Sequence, residues 1–219
     1  MIERFRCPWW GPALAAVVLL PGSARGQRPV QLFVEAGATA ARVRSLVGTS
    51  VEPLDGVGMA VGAGFSTRGL LLEVRYAEGK LTSDDAAVER RDVADGEILL
   101  GVSPHRLVTL KAGPHARAYR SASGTWRWVF WEARVRGTAP IIPSRLDAYA
   151  ELWGAMAGST SLSNTFGGAR GGEVGATLEI PRTALAARVA YRIDRGNGDN
   201  PTRSDTAEQM VFVVRARLR

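Results

Sequence analysis

The chain has 219 residues, enough for one domain or at most two small ones. At 46% hydrophobic it is not disordered by composition. Its 28 basic and 21 acidic residues give a net charge of +7, yet the arginines are spread along the chain and form no single patch, so no nucleic-acid partner is expected.

The first 26 residues stand apart. Arg4 and Arg6 precede the apolar run ALAAVVLL at 13–20, which Pro21 and Gly22 break. Ala24 and Gly26 then place small residues just before Gln27. This is the layout of a secretory signal peptide, residues 1–26, ahead of an exported domain, residues 27–219. The run is too short for a bilayer-spanning helix, which needs about 20 residues. Cys7 is the only cysteine and lies in this segment, so the exported chain is expected to have no disulfide and no thiolate metal site.

Beyond Gln27 the chain alternates. Val30, Leu32, Val34, Ala36 and Ala38 oppose Gln31, Glu35 and Thr39; Val57, Met59, Val61 and Phe65 oppose Gly58, Ala60, Gly62 and Gly64. Leu70, Leu72, Val74 and Tyr76 oppose Glu73 and Arg75; Ile98, Leu100 and Val102 oppose Glu97. Val108, Leu110 and Ala112 oppose Lys111, His115 and Arg117. The stretch VFWEARVRG at 129–137 sets Val129, Trp131 and Val135 against Phe130, Glu132, Arg134 and Arg136. Segments near 145–152, 173–180, 185–192 and 209–218 repeat the theme. Period two over such lengths predicts strands, about ten of them, with eight possible.

The connections are expected to differ in length by parity. The odd ones (44–55, 82–91, 158–172, 194–204) read as long, with 120–125 intermediate. The even ones (66–69, 103–105, 180–183) read as tight, with 139–144 intermediate and bounded by prolines. A meander whose loops lengthen at one end has two chemically different ends, as membrane barrels do.

Magnitudes then assign the faces. An Arg or Lys on a lipid-facing position costs roughly 2–4 kcal/mol at the midplane. Val129, Trp131, Val135, Phe212 and Val214 are therefore expected to face lipid. The charged rows are expected in the lumen: acids Glu35, Glu73, Glu97, Glu132, Asp147, Glu151, Glu173 and Glu179, with bases Arg75, Lys111, Arg117, Arg134, Arg136, Arg145, Arg188, Arg192, Arg215 and Arg217. The two sets nearly cancel, as a narrow interior requires. Trp126, Trp128, Trp131, Trp153, Tyr76, Tyr119, Tyr149 and Tyr191 are candidates either for interfacial girdles or for lumen packing.

With these features the chain resembles the small outer-membrane β-barrel proteins of Gram-negative bacteria, the OmpA/OmpX-like barrels. The resemblance covers 27–219 and includes the closing strand AEQMVFVVRARLR. Families of this kind commonly end on an aromatic residue, where this chain has Arg219. The resemblance implies an all-β, up-and-down antiparallel transmembrane barrel in the outer membrane, with lipid and the barrel-assembly machinery as partners.

No chemistry stands out. His105 sits in a tight turn, and His115 shares a face with Lys111 and Arg117. A trio of His115, Ser121 or Ser123, and Asp147 has no spacing that favours it. Asp84, Asp85 and Glu89 read as a solvated acidic loop, with an unknown surface ligand as the other use of the long loops. GVGMAVGAG lacks the lysine and helix of a phosphate loop. The expectation is a non-enzymatic barrel without metal or cofactor, structural, adhesive or weakly porin-like, in the cell envelope. The alternatives are a soluble periplasmic barrel with an apolar ligand and a membrane barrel enzyme acting on lipid or peptide.

Overall fold

The computed structural model describes residues 30–161, 165–198 and 203–218. The segment read as a signal peptide lies outside the described residues. Ten strands follow one another: β1 (Gln31–Val47), β2 (Ser50–Thr67), β3 (Leu70–Thr82), β4 (Arg91–His105), β5 (Val108–Ser121), β6 (Gly124–Ile142), β7 (Leu146–Thr160), β8 (Phe166–Glu179), β9 (Leu185–Gly198) and β10 (Arg203–Leu218). Each pairs antiparallel with its neighbours in sequence, and β1 pairs with β10, so the sheet closes. Closure leaves no strand edge without a partner.

The connections correct the loop reading. β1 and β2 run on to a two-residue turn at 48–49, inside the stretch expected to be a long loop. The turn between β5 and β6 is likewise only 122–123, and β9 continues to Gly198. Among the connections described in full, 83–90, between β3 and β4, is the long one of the expected kind. The asymmetry between the two ends lies mainly in strand length, since β6 has 19 residues where about 9–11 suffice to cross a bilayer.

The physical reason is a reversal of polarity along the strands. In β1, Val34 and Ala36 point outward and Glu35 inward; eight residues on, Arg42 and Arg44 point outward and Val43 inward. The backbone alternation of β1 is unbroken, but the chemistry of its two faces is exchanged. Val43, Leu54, Leu81, Tyr119, Trp128, Phe130 and Trp153 form an apolar core inside the end that carries the odd connections. Arg42 pairs with Asp55 on the outside of that end at 2.8 Å. Over the middle, Val57, Leu100, Trp131, Leu152 and Phe212 are outward and largely exposed. This apolar belt runs round the whole circumference, far beyond a normal surface patch.

Glycines set how closely the wall can coil and how far side chains can lean on it. Large interior side chains lie against glycines of adjacent strands: Tyr149 over Gly175 and Trp153 over Gly171, where a Cβ would come within 2.6 and 2.5 Å of them. Gly113 in β5 is tighter still, because a Cβ there would lie 1.9 Å from the Ile98 carbonyl oxygen of β4. A bulge between β6 and β7 pairs Trp131 with Ala157 and Glu132 with Ala155, leaving Met156 as the extra, exposed residue.

Candidate functional site

The interior of the barrel is the candidate site. Nine carboxylates are buried there: Glu35, Glu73, Asp95, Glu97, Glu132, Glu151, Glu173, Asp194 and Asp205. Facing them are Arg75, Arg91, Lys111, His115, Arg117, Arg134, Arg136, Arg188, Arg192 and Arg215, so the lumen is close to neutral.

One network joins most of them. Glu35 binds Arg215 at 2.8 Å and Arg188 at 3.0 Å. Arg188 continues to Glu173 at 3.1 Å, which also accepts the Tyr149 hydroxyl at 2.6 Å. Glu151 collects Lys111 at 2.7 Å, Arg136 at 2.7 Å and Arg134 at 3.0 Å. Arg134 is the hub, because it also reaches Glu132 through Nε at 2.6 Å and pairs with Glu97. Glu97 meets Arg192 at 3.3 Å, and Arg192 meets Asp194 at 2.7 Å. Asp194 then takes Arg117 at 2.7 Å and the Trp153 indole N–H at 3.0 Å. Such charges are tolerated because each is paired and hydrogen-bonded.

His115 sits between two acids. Its Nε2 is 3.1 Å from Asp95 and its Nδ1 is 3.1 Å from Glu132. A neutral ring has one N–H and would set a lone pair against one of these carboxylates, so the arrangement suits the imidazolium. Asp95, Glu97 and His115 come close enough together to suggest a metal centre. Their ligand atoms are already committed: Asp95 to Arg117 at 2.5 Å, and Glu97 to Arg134, Arg192 and Arg75. The residues present do not fit a cation.

Sequence-predicted positions separate as follows. Val129, Trp131, Val135, Phe212 and Val214 lie on the exposed outer face. Arg145 differs from the expectation: it lies in the exposed turn after β6, because β6 ends at Ile142. Arg217 is also exposed, at the rim, where it pairs with Glu179; Asp147 and Glu179 are only half-buried. The aromatic set divides, with Trp128, Trp153, Tyr119 and Tyr149 buried inside and Trp131, Tyr76 and Tyr191 outside. The trio of His115, Ser121 or Ser123, and Asp147 is not assembled. Ser121 bonds Ser123 in a turn at one end, while Asp147 begins β7 at the other.

Sequence reading missed Asp95, Asp194, Asp205 and Arg91, all assigned to loops or to no face. Asp205 accepts Ser45 at 2.6 Å and the Trp128 indole at 3.0 Å, and Arg91 reaches Ser45 and Glu52. Parity was the available signal. Asp95 is two before Glu97, and Asp194 two after Arg192, so each shares its neighbour's face.

Above the lumen, the 83–90 loop is clipped to the turn after β5. Glu89 accepts the Ser123 backbone N–H at 3.1 Å and its hydroxyl at 2.7 Å. These hydrogen bonds from Ser123, with help from Ser121, hold the Glu89 carboxyl below its usual value. A lowered carboxyl gives support that is present above the unfolded-state value and is lost as pH falls through the folded one. Protection of 83–90 against hydrogen exchange, taken relative to the intrinsic rate at each pH, is therefore expected to fall on acidification below the ordinary carboxylate range. Glu89→Gln should flatten that response; an unchanged pH profile would remove the clip from the account.

No protein-family model matches the chain, and no curated protein does. Solved structures match in fold. OmpT, the outer-membrane protease of Escherichia coli, aligns with a TM-score of 0.54 at 7% identity, over 89% of this chain and 99% of that one. The translocator domain of the autotransporter NalP from Neisseria meningitidis gives 0.49 at 12% identity, over 94% and 93%. Ail, the attachment invasion locus protein of Yersinia pestis, gives 0.41 at 9% identity, over 87% and 100%. The likeness to OmpT is one of fold, and with the closed sheet it gives the architecture: a small ten-stranded, up-and-down antiparallel β-barrel with an ion-paired interior.

Proposed function

We propose that the chain is an integral outer-membrane barrel with a closed lumen, whose role is structural and adhesive. It anchors a protruding β-collar, the end with the odd connections, on the cell surface. The observation that carries this reading is the exchange of faces along the strands. The middle is apolar outside and charged inside, while the collar is charged outside and apolar inside. A soluble barrel with an apolar ligand needs the collar's arrangement throughout, and the middle has the opposite one.

Closure rests on the filling of the lumen. The cavity lined by Arg117, Tyr119, Trp128 and Asp194 measures about 20 Å³, and that lined by Glu35, Arg75, Glu97 and Arg188 about 40 Å³. Each has room for a water or so, which suits buried hydration and not solute passage.

Two measurements test the reading. In planar bilayers the inserted protein should give no steady conductance steps; regular steps would establish a pore in place of an anchor. Nitroxide labels at Trp131→Cys and Lys80→Cys should report different media. Position 131 should collide preferentially with oxygen dissolved in the acyl chains, and position 80 with a water-soluble nickel reagent. A water-exposed position 131 would overturn membrane insertion.

A further inference from the structure

The end opposite the collar carries a pattern that the anchor role does not use. Each even connection has one arginine and no carboxylate: Arg68 after β2, Arg106 after β4, Arg145 after β6 and Arg182 after β8. All four are exposed, and among the described residues none is in an ion pair. Because the connections alternate round a closed barrel, the four guanidinium groups are spaced two strands apart along the rim.

The collar is arranged differently. Its outward Arg42 is paired with Asp55, and Arg44 lies 3.7 Å from Glu208. Asp84, Asp85 and Asp92 are exposed on the same end. One end of the barrel is thus charge-mixed, while the turns of the other hold arginine alone.

The apolar belt reaches the arginine rim beside three of the four turns. Leu70 is adjacent to the first turn, Ile141 and Ile142 to the third, and Ile180 opens the fourth; all are exposed. Two of the arginines also hold unusual backbone. Arg68 has φ 46° and Arg182 has φ 63°, in the left-handed region where Gly or Asn is sterically easier. Side-chain chemistry, not turn geometry, accounts for arginine there.

We propose that this rim is a docking ring for anionic phospholipid, in which Arg68, Arg106, Arg145 and Arg182 each bind a headgroup phosphate. Guanidinium groups chelate phosphate oxygens through paired N–H donors. Aliphatic side chains beside them meet acyl chains, so one bilayer leaflet satisfies both halves of the surface. An acidic soluble protein would match the charge and leave Ile141 and Ile142 in water. Each basic residue near an anionic surface contributes roughly fivefold in affinity. The proposal rests on the membrane-anchor reading above, and its test is built to fail separately from it.

The experiment uses the refolded barrel in detergent micelles, titrated with phosphatidylglycerol or phosphatidylcholine, with bound lipids counted by native mass spectrometry. Heat-modifiable gel mobility and insertion into phosphatidylcholine vesicles are recorded in parallel. The barrel should retain phosphatidylglycerol over phosphatidylcholine, and the preference should fade in high salt. Replacing all four rim arginines (R68Q, R106Q, R145Q, R182Q) should cut the preference at least about tenfold while mobility and insertion persist. A control set with the same charge change on the collar side (R120Q, R127Q, R170Q, R195Q) should leave the preference largely intact. Absence of a preference in the unaltered protein, or equal loss in both sets, would overturn the docking ring. Failure to insert into phosphatidylcholine at all would instead overturn the anchor reading beneath it.

Discussion

Arg134→Met is expected to destabilise the barrel by about 3–5 kcal/mol, the range seen when one partner of a buried ion pair is removed. Arg134 is the only link that touches Glu97, Glu132 and Glu151 together. Its loss leaves Glu132 with His115 alone, and thins the cationic cover on the other two acids. Methionine fills similar volume, so the effect isolates charge from packing. Total stabilities of domains are about 5–15 kcal/mol, so this one change should visibly lower the urea midpoint of the micelle-bound barrel. Adding Glu97→Gln to Arg134→Met should recover part of the loss by neutralising one stranded carboxylate. An unfolding free energy within about 0.5 kcal/mol of the original would mean that the network is slack and Arg134 is not its hub.

Gly113→Ala is expected to prevent the barrel from closing at β4 and β5. The new Cβ would sit 1.9 Å from the Ile98 carbonyl oxygen and 3.1 Å from the Leu99 Cα, and neither is the tip of a flexible side chain. The strand must shift as a whole, which would drag Lys111 and His115 off their acids in the same strand. Gly154→Ala is the matched comparison. Nothing lies within 4 Å of a Cβ at Gly154, so that variant should keep its heat-modifiable mobility and its urea midpoint. A folded Gly113→Ala barrel with an unchanged midpoint would show that the two strands have room to separate there.

The strands and their closure were legible because period two runs through nearly the whole length of each strand, the bulge at Met156 being a local exception. The outward Val129, Trp131 and Val135 and the inward Glu132 and Arg134 follow from that period and the cost of charge in hydrocarbon. The collar was not legible by the same rule. Equating apolar with outside holds only at membrane depth, and at Arg42 and Val43 the solvent on the outer face changes from lipid to water. Read with one fixed polarity, the reversal looks like the end of the strand, so 44–55 and 194–204 read as loops. Asp194 falls inside the second of these stretches, while Asp95 and Asp205 lie at strand ends that the reading gives no face, although parity places all three inside. Trp128 and Trp153 were ambiguous for a related reason: an indole serves a lipid interface or a water-excluding core equally well. Arg145 and Arg217 were misplaced because alternation cannot say where a strand stops and the rim begins. The pairing of Arg134 with three acids needs strands up to 37 residues apart in sequence, and register of that kind is not written in any local pattern.

The exchange of faces also fixes draught. A barrel that was greasy outside along its full length could ride higher or lower in the bilayer at little cost. Here a descent of two residues per strand, roughly 5 Å along the normal at ordinary tilt, would submerge the Arg42–Asp55 level. An equal rise would lift Val57, two residues from the Asp55 level, toward water and draw the Arg68, Arg106, Arg145 and Arg182 turns into the hydrocarbon. The molecule has a waterline written into its wall. Piston-like movement is closed to it, and whatever grips the collar pulls on the membrane itself.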